Sequence, residues 1–318
     1  MGNPEVARAG FAGLDLLVSL DCRMNATADM ADYVIATSQP FERHEITVPG
    51  DSSYPEPFVQ YTAPVVEKPA GTIHDWEFFW AVSARMGVPL TFKYWNYGLR
   101  FQDIPEGLEL SPTEKPDPEA LCRYLAKDCT VPFDAIKASP SGVRPPAEPR
   151  FVRPGPPDAP GRLHLCPPDV AAELAMVAAQ EPEQGFAYRL TCRRVLHALN
   201  SAYQESKELR RRLPVNYAHM NPEDMADAGI AEGDVVEVAS AHGRLRTLAK
   251  AEDRLRRGVV SMTHMFGPLV GSGDPVADGG ANVGQLASLS EHVQPINFMP
   301  RFSAVPVNVG KVRRLQPA

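Results

Sequence analysis

Over the first hundred positions, short apolar runs are separated by polar segments in an order that predicts an α/β domain. Residues 14–20 are almost continuously apolar, as in a parallel strand buried on both faces. Asn25 can cap a short helix that runs to Ala31, and residues 33–36 form a second apolar run. Strand, helix and strand at this spacing predict a parallel unit of a doubly wound sheet. Asp21 then stands at the ligand-binding edge of that sheet, or is only a strand-end turn residue.

An aromatic helix is predicted next. Residues 72–75 resemble a capping box, and Gly87 with Pro89 ends the helix. Four large side chains fall on one helical face and predict packing on a core: Trp76, Phe79, Trp80 and Met86. Asp75 begins this helix, where it either caps the helix or also faces a ligand.

A proline-rich segment separates this region from the rest of the chain. Residues 105–182 hold half of the 32 prolines. This composition predicts an extended, stiff connector that wraps the surface. Two short helices are predicted within it, at residues 118–127 and 169–180.

Beyond residue 185, short strands and glycine turns predict a small β-barrel. A strand begins at Tyr188, and further strands are predicted at residues 235–238, 245–251, 258–262 and 305–312. Asn221 is predicted to cap a short helix that ends at Gly229. A hairpin turn at His242-Gly243 and a glycine-rich loop over residues 267–284 complete the pattern.

A polar row follows the first of these strands. Residues 191–201 carry Thr, Arg, His, Asn and Ser side chains with almost no negative charge. Many donors without acceptor charges suit phosphates and the edge of a purine. A solvated edge strand and turn is the alternative that the row alone leaves open.

Composition and charge narrow the possible functions. The formal net charge of −7 argues against nucleic-acid binding, and no apolar run approaches the roughly 20 residues of a membrane span. No secretory leader follows Met1. The cysteines are scattered, without a CxxC pair, which argues against a zinc site or iron–sulfur cluster in this chain and favours a reduced, cytoplasmic setting. They are Cys22, Cys122, Cys129, Cys166 and Cys192.

Several weak motifs, taken in order, resemble one family. The chain is similar to the C-terminal part of the molybdenum or tungsten bis(molybdopterin guanine dinucleotide) oxidoreductases, the dimethyl sulfoxide reductase superfamily, which includes formate dehydrogenases, nitrate reductases and acetylene hydratase. The matching pieces are Gly2-Asn3-Pro4, Leu20-Asp21 with Thr27 and Ala31-Asp32, Phe41-Glu42-Arg43, Asp75, residues 191–201, Asn221 to Asp224 with Gly229-Ile230 and Gly233-Asp234, Gly280 to Leu286, and Pro300 to Ser303.

The resemblance implies a domain plan. Residues 1–104 would be an incomplete doubly wound α/β domain, because the Gly2-Asn3-Pro4 turn normally follows a strand. Residues 105–184 would be the proline-rich connector, and residues 185–318 a six-stranded double-psi β-barrel that binds molybdopterin dinucleotide.

The resemblance also implies cofactor-binding residues. By this resemblance, five residues would line the guanine dinucleotide site: Asn3, Leu20, Asp21, Arg43 and Asp75. Six others would lie along the pterin and its phosphates: Thr191, Cys192, Arg193, Arg194, His197 and Asn200. The family commonly has a second asparagine in the late glycine-rich loop, where this chain has Gly284 and keeps only Asn282. A lysine sometimes found near the final strand is also missing, and Arg301 or Ser303 is the nearest candidate.

The implied cofactor is bis(molybdopterin guanine dinucleotide) with molybdenum or tungsten. The iron–sulfur motif, the metal-ligating residue and most of the substrate pocket would belong to an upstream half, in the same gene or a separate chain, with a possible electron-transfer subunit. No residue of this chain is nominated as a catalytic group or metal ligand.

Two other functional classes stay open at this point. A non-enzymatic interaction protein would explain the missing catalytic half, but would have no need of the polar row. A Ser-His-Asp hydrolase is less favoured, since the chain has no G-x-S-x-G motif and His219 and His264 are isolated in sequence. Both histidines are interpreted as structural.

Overall fold

The chain folds into two compact units in the computed structural model. One unit is Met1–Asp15 with Gly161–Ala318, and the other is Leu16–Pro160. The structure describes residues 3–47, 56–93, 107–146, 156, 165–181, 183–200, 206–264, 266–268 and 271–312. The predicted boundaries near residues 104 and 184 stay predictions. Among the described helices, none has both the length and the apolar character needed to span a bilayer.

The Leu16–Pro160 unit contains the predicted parallel pair. Strands β1 (Val18–Asp21) and β2 (Tyr33–Ala36) pair in parallel, with Asp21 opposite Ala36. Asn25 caps the crossover as predicted, because its Oδ1 accepts the amides of Thr27 and Ala28 at 3.0 Å. The helix there is a single 3-10 turn, Ala28–Met30.

The expectation of a strand buried on both faces was wrong. Leu14 and Leu16 precede β1 and are exposed, and Tyr33 and Val34 of β2 are exposed as well. Among the described strands, β1 pairs only with β2, and the faces of a parallel sheet are buried only where helices pack on them.

The remaining strands of this unit form two short antiparallel pairs. They are β3 (Glu45–Ile46) with β4 (Tyr61–Thr62), and β5 (Thr91–Phe92) with β6 (Leu108–Glu109). Helices α3 (Pro118–Leu125) and α4 (Phe133–Lys137) follow. Their apolar side chains form a core with β4: Val59, Tyr61, Cys122, Ala126, Phe133 and Ile136. This part of the proline-rich segment is therefore packed rather than extended, and α4 was not predicted.

Helix α2 (Asp75–Met86) is the predicted aromatic helix, and Gly87 ends it in the left-handed conformation. The predicted capping box is wrong, because His74 occupies the cap position without a side-chain hydrogen bond. Phe79 and Met86 are exposed, so the prediction that the whole aromatic face packs on a core was wrong. Trp80 is half-buried and donates to the carbonyl of Ser111 at 2.7 Å.

The other unit is built on a closed six-stranded barrel, which confirms the predicted fold. Its strands are β7 (Tyr188–Arg193), β8 (Ala218–Met220), β9 (Val235–Ala239), β10 (Arg244–Ala251), β11 (Val259–Thr263) and β12 (Ser303–Lys311), joined in the order β10-β8-β11-β7-β12-β9. The pairs β7–β11 and β8–β10 are parallel, and the others are antiparallel.

Alternate residues of these strands fill the barrel. Fully buried members of this core include Leu190, Met220, Val236, Val238, Val260, Met262 and Val307. Strand β8 was not predicted from the sequence, because three residues are too few to show the two-residue alternation of a strand.

Four helices accompany the barrel in the described residues: α1 (Pro4–Ala12), α5 (Pro168–Ala179), α6 (Lys207–Arg212) and α7 (Pro222–Asp227). The predicted cap of α7 is confirmed, since Asn221 Oδ1 accepts the Glu223 amide at 2.9 Å. Helix α5 matches the second helix predicted in the proline-rich segment, and α6 was not predicted.

Candidate functional site

One end of the barrel gathers most of the predicted site residues of this unit. The carboxyl ends of β7 and β11 lie side by side there, with Arg193 opposite Thr263. Strand β12 runs antiparallel to β7 and starts at the same end, with Ser303 opposite Thr191. The hairpin between β9 and β10 turns there as well, because Ala239 pairs with Arg244. We call this the loop end of the barrel.

The polar row begins on the outer face of β7. Leu190 and Cys192 pack with the barrel core, so Thr191 and Arg193 point to the opposite face. Burial raises the pKa of the Cys192 thiol to about 11, which keeps it protonated. The structure therefore separates the Cys192 side chain from the row, and only its main chain is left to contact a ligand.

Arg193 has a hydrogen-bond donor without an acceptor. Its Nη2 lies 3.6 Å from Glu252 Oε2, but its Nη1 is buried and has no hydrogen-bond partner within the described residues. An unsatisfied buried donor costs about 1–3 kcal/mol, and more when it is charged. An acceptor supplied by a bound molecule would remove that cost.

His219 adds a second unsatisfied nitrogen on the same outer face. It stands opposite Ser261, and its Nδ1 is buried without a hydrogen-bond partner in the described part of the chain. Burial, reinforced by the charges of Arg193 and Lys250, lowers the pKa of His219 to about 4. The ring is therefore neutral at pH 7.

The loop after β7 holds the rest of the polar row. Arg194 Nη1 donates to Asn200 Oδ1 at 2.8 Å, and Asn200 has a left-handed backbone with φ of 48°. His197 Nε2 lies 3.5 Å from Arg212 of the basic helix α6. Leu196 is 94% exposed, so this loop also presents an apolar side chain to whatever approaches it.

His264, interpreted as structural from the sequence, lies at the same end, directly after β11. Its Nδ1 is also buried without a partner among the described residues. Burial, and then the charge of Arg194, lowers the pKa of this imidazole. Arg193 and His264 at the loop end, and His219 on the adjoining outer face of the barrel, therefore carry three buried nitrogens that a polar ligand can satisfy.

The glycine-rich loop is held to the barrel by a residue that the sequence did not reveal. Asn216 is 2% exposed, and its Nδ2 donates to the carbonyls of Thr263 at 2.7 Å and Ala281 at 2.8 Å. Its Oδ1 accepts the Ala281 amide at 2.8 Å. A single asparagine in an unassigned stretch carries no pattern, so only the fold identifies it.

The same loop brings together three predicted residues. Asn282 Oδ1 accepts the Gly284 amide at 2.9 Å and caps the 3-10 helix Val283–Leu286. The main-chain N–H of Asn3 donates to the carbonyl of Gly284 at 2.8 Å and to that of Ala287 at 2.9 Å. Asn3 and Asn282 line a cavity of about 510 Å³, whose charged lining includes Glu237, Arg244, Arg246 and Asp278.

Arg301 is engaged with its own segment. Its Nε donates to the carbonyl of Ser303 at 3.2 Å, and its Nη2 to that of Ala304 at 3.0 Å. Its Nη1 lies 3.7 Å from Glu183. Arg301 therefore stiffens the start of β12, and it does not line the cavity that Asn3 and Asn282 share.

Within the Leu16–Pro160 unit, the predicted residues gather at one sheet edge. Asp21 ends β1, and its carboxylate accepts from Asn25 Nδ2 at 2.6 Å and from the Arg23 amide at 3.1 Å, as a turn residue does. Leu20, next to it, pairs with Ile35 of β2. An isolated parallel bridge between Thr37 and Ile73 carries residues 73–75 to the same edge.

Arg43 and Asp75 contact each other at that edge. Arg43 Nη1 lies 3.8 Å from Asp75 Oδ2, and Arg43 Nε donates to Glu45. Behind them, the hydroxyl of Ser38 and Nδ1 of His74 lie 2.7 Å apart, and both residues are buried. The Ser38–His74 pair fixes the start of α2 and so positions Asp75, a role that the sequence did not show.

Comparisons with known proteins bear on the barrel and on the chain as a whole. A family model described as the molydopterin dinucleotide binding domain matches residues 188–306, which span the barrel from its first strand into its last. The chain is 26% identical to acetylene hydratase of Syntrophotalea acetylenica over 295 residues, 89% of this chain and 36% of the relative. It is 22% identical to the F420-dependent formate dehydrogenase subunit alpha of Methanocaldococcus jannaschii over 270 residues, 84% of this chain and 37% of the relative.

The barrel matches the molydopterin dinucleotide binding domain, and the chain as a whole resembles the C-terminal part of the dimethyl sulfoxide reductase superfamily. A solved structure supports the fold. The acetylene hydratase from Pelobacter acetylenicus matches with a TM-score of 0.59 and 19% identity, over 98% of this chain and 42% of that one. The chain thus spans little more than a third of the length of the curated relatives described above.

Proposed function

We propose that this chain binds bis(molybdopterin guanine dinucleotide), with molybdenum or tungsten, as the cofactor-binding part of an oxidoreductase. The observation that carries the proposal is the buried, unpartnered Nη1 of Arg193, on a barrel that matches the dinucleotide-binding family. A phosphate oxygen is the acceptor best suited to a guanidinium donor.

The residues present fit such a cofactor. Arg193 and Arg194 would hold its phosphates, and His197 and Asn200 would meet pterin heteroatoms. Asn3 and Asn282 would contact it from the cavity wall. In the other unit, Asp21, Arg43 and Asp75 would bind guanine or ribose groups of a dinucleotide. Arg43 already faces two carboxylates, which limits the positive charge it can offer a phosphate.

Such a cofactor, when bound, supplies two-electron redox chemistry at its metal. The residues of this chain would bind and orient it. With the Cys192 thiol protonated and the nearby His219 ring neutral, Arg193 and Arg194 would supply positive charge that offsets the phosphates. Because the relatives are much longer, we also propose that turnover needs further polypeptide, in the same protein or a second chain.

The test is cofactor retention by matched arginine variants. The full chain is incubated with molybdopterin guanine dinucleotide and gel-filtered, and the retained pterin is measured by fluorescence and the metal by mass spectrometry. We expect Arg193→Met to lose most of the retained pterin. Arg189→Met is the control, since Arg189 lies on the same strand and face, and its Nη1 donates to the Tyr188 carbonyl at 3.3 Å.

Equal retention by Arg193→Met and wild type would refute the assignment of Arg193. No retention by the wild-type chain would refute the proposal that this chain binds the cofactor by itself. The alternative of a non-enzymatic interaction protein gains no support from the structure, because the polar row is retained and partly buried.

A further inference from the structure

Two histidines and a glutamate from separate segments converge beside the cavity. His242 lies in the turn between β9 and β10, whereas Glu291 and His292 lie in the loop before β12. One possible ligand atom of each lies within 4.8 Å of the other two. His242 Nδ1 is 3.8 Å from Glu291 Oε2, and the two imidazole rings are 5.8 Å apart.

His242 is held by a rigid turn. Its amide donates to Ser240 Oγ at 3.1 Å, and Ser240 Oγ donates to the carbonyl of Leu286 at 3.0 Å. Gly243 packs so closely that an added Cβ would lie 2.3 Å from the carbonyl oxygen of Gln285. The turn is therefore fixed against the glycine-rich loop, and the His242 side chain is only 17% exposed.

The main chain of the other two residues is held by a second set of bonds. Ser288 Oγ accepts the Glu291 amide at 2.9 Å. The carbonyl of His292 accepts the Arg301 amide at 3.2 Å, and His292 has a left-handed φ of 55°. An isolated bridge between Val293 and Pro300 closes this loop. Each ligand-bearing residue is thus positioned by its own backbone contacts before any metal binds.

We propose that His242, Glu291 and His292 form a binding site for a divalent transition metal, best suited to Zn²⁺. Two imidazole nitrogens and one carboxylate oxygen are ligands that zinc accepts. In a tetrahedral site with bonds of about 2.0–2.1 Å, ligand atoms are about 3.4 Å apart. Metal binding would draw these atoms from within 4.8 Å of one another to that spacing through side-chain rotation. Three protein ligands leave a fourth position for water.

The site is independent of the molybdopterin proposal. The absence of CxxC pairs argued against zinc from the sequence, but this site needs no cysteine, because its ligands are two histidines fifty residues apart and a glutamate. A bound metal would cross-link the β9–β10 turn to the loop that leads into β12, and so fix one wall of the loop end of the barrel.

The experiment is a zinc titration of the full chain after treatment with a chelator and alkylation of exposed thiols. Binding is measured by competition with a chromophoric chelator, and Co²⁺ absorption reports the ligand geometry. We expect one zinc per chain. Loss of an outer-shell partner already costs about 10–100-fold in affinity, so His242→Ala, His292→Ala and Glu291→Gln are each expected to weaken binding at least about tenfold.

His197→Ala is the control, because it removes an exposed histidine of the same unit that is outside the cluster. It should bind zinc as wild type does. Glu291 is 70% exposed, so Glu291→Gln keeps the fold even if a histidine variant loses it. Zinc should also slow amide exchange over residues 288–301 in wild type and not in Glu291→Gln. The absence of zinc binding by wild type, or undiminished binding by Glu291→Gln and both histidine variants, would overturn the proposal.

Discussion

Asn216→Ala should release the glycine-rich loop from the barrel. The change removes three hydrogen bonds of 2.7–2.8 Å, to Thr263 and Ala281. Each such bond contributes about 0.5–1.5 kcal/mol net, and a buried group left without a partner costs about 1–3 kcal/mol. The expected loss is therefore about 3 kcal/mol, which raises the opening equilibrium of the loop on the order of 100-fold.

Amide exchange read by mass spectrometry is the suitable assay, because it reports local opening. Tryptophan fluorescence is less suitable, since none of the three tryptophans lies in the sequence between residues 161 and 318. Peptides covering residues 274–287 should exchange much faster in Asn216→Ala. The control is Asn297→Ala, which removes an exposed asparagine that accepts the Met299 amide at 3.1 Å and should leave these peptides unchanged. If the exchange rates of these peptides in Asn216→Ala stay within threefold of the wild-type rates, the loop is held by other contacts.

Three further predictions follow from burial and backbone geometry. The Cys192 thiol, whose pKa burial raises to about 11, should be alkylated far more slowly than exposed Cys166, and equal rates by peptide mass spectrometry would contradict its burial. Burial lowers the pKa of His219 from 6.5 to about 4, so the neutral ring contributes stability that is complete above about pH 6.5 and is lost as the pH falls toward 4. His219→Gln should flatten the pH dependence of amide exchange in the barrel, and an unchanged profile would assign that dependence to other groups. Gly267→Ala should destabilise the barrel by at least about 1–2 kcal/mol, because φ is 74° and the added Cβ would lie 2.5 Å from a carbonyl oxygen. Gly310→Ala is the control, because its added Cβ would meet nothing within 4 Å and should leave the free energy of unfolding unchanged. Both variants are measured by urea titration, with unfolding followed by amide exchange.

The loop end of the barrel and the outer face next to it combine fixed and unsatisfied groups. The side-chain amide of Asn216 and the main-chain N–H of Asn3 are hydrogen-bonded, and these bonds fix the glycine-rich loop. Arg193, His219 and His264 instead keep buried nitrogens without partners in the described residues. A folded protein retains such groups at a cost, and a polar ligand that satisfies them recovers it. A rigid frame with unpaired donors is what a binding site for a large anion requires.

The sequence by itself determined most of the local elements of the barrel unit. Period-two alternation from Tyr188, the glycine turns and the Asn221 cap depend on residues that are neighbours in the chain, and the structure confirms them. The order of the family motifs was also visible, because it is a property of the sequence alone. In the Leu16–Pro160 unit the same reasoning predicted β2 correctly and failed for the burial of α2, since burial depends on what packs against a face and not on its apolar character.

Only the tertiary structure decided which polar residues act together. Cys192 and Arg193 are adjacent in the polar row, yet the pleat of β7 sends one thiol into the core and one guanidinium to the outer face. Asn216 and the His242–Glu291–His292 cluster depend on contacts between segments that are about fifty to seventy residues apart. No local pattern encodes such contacts, because they form only when barrel closure brings distant loops to the same end.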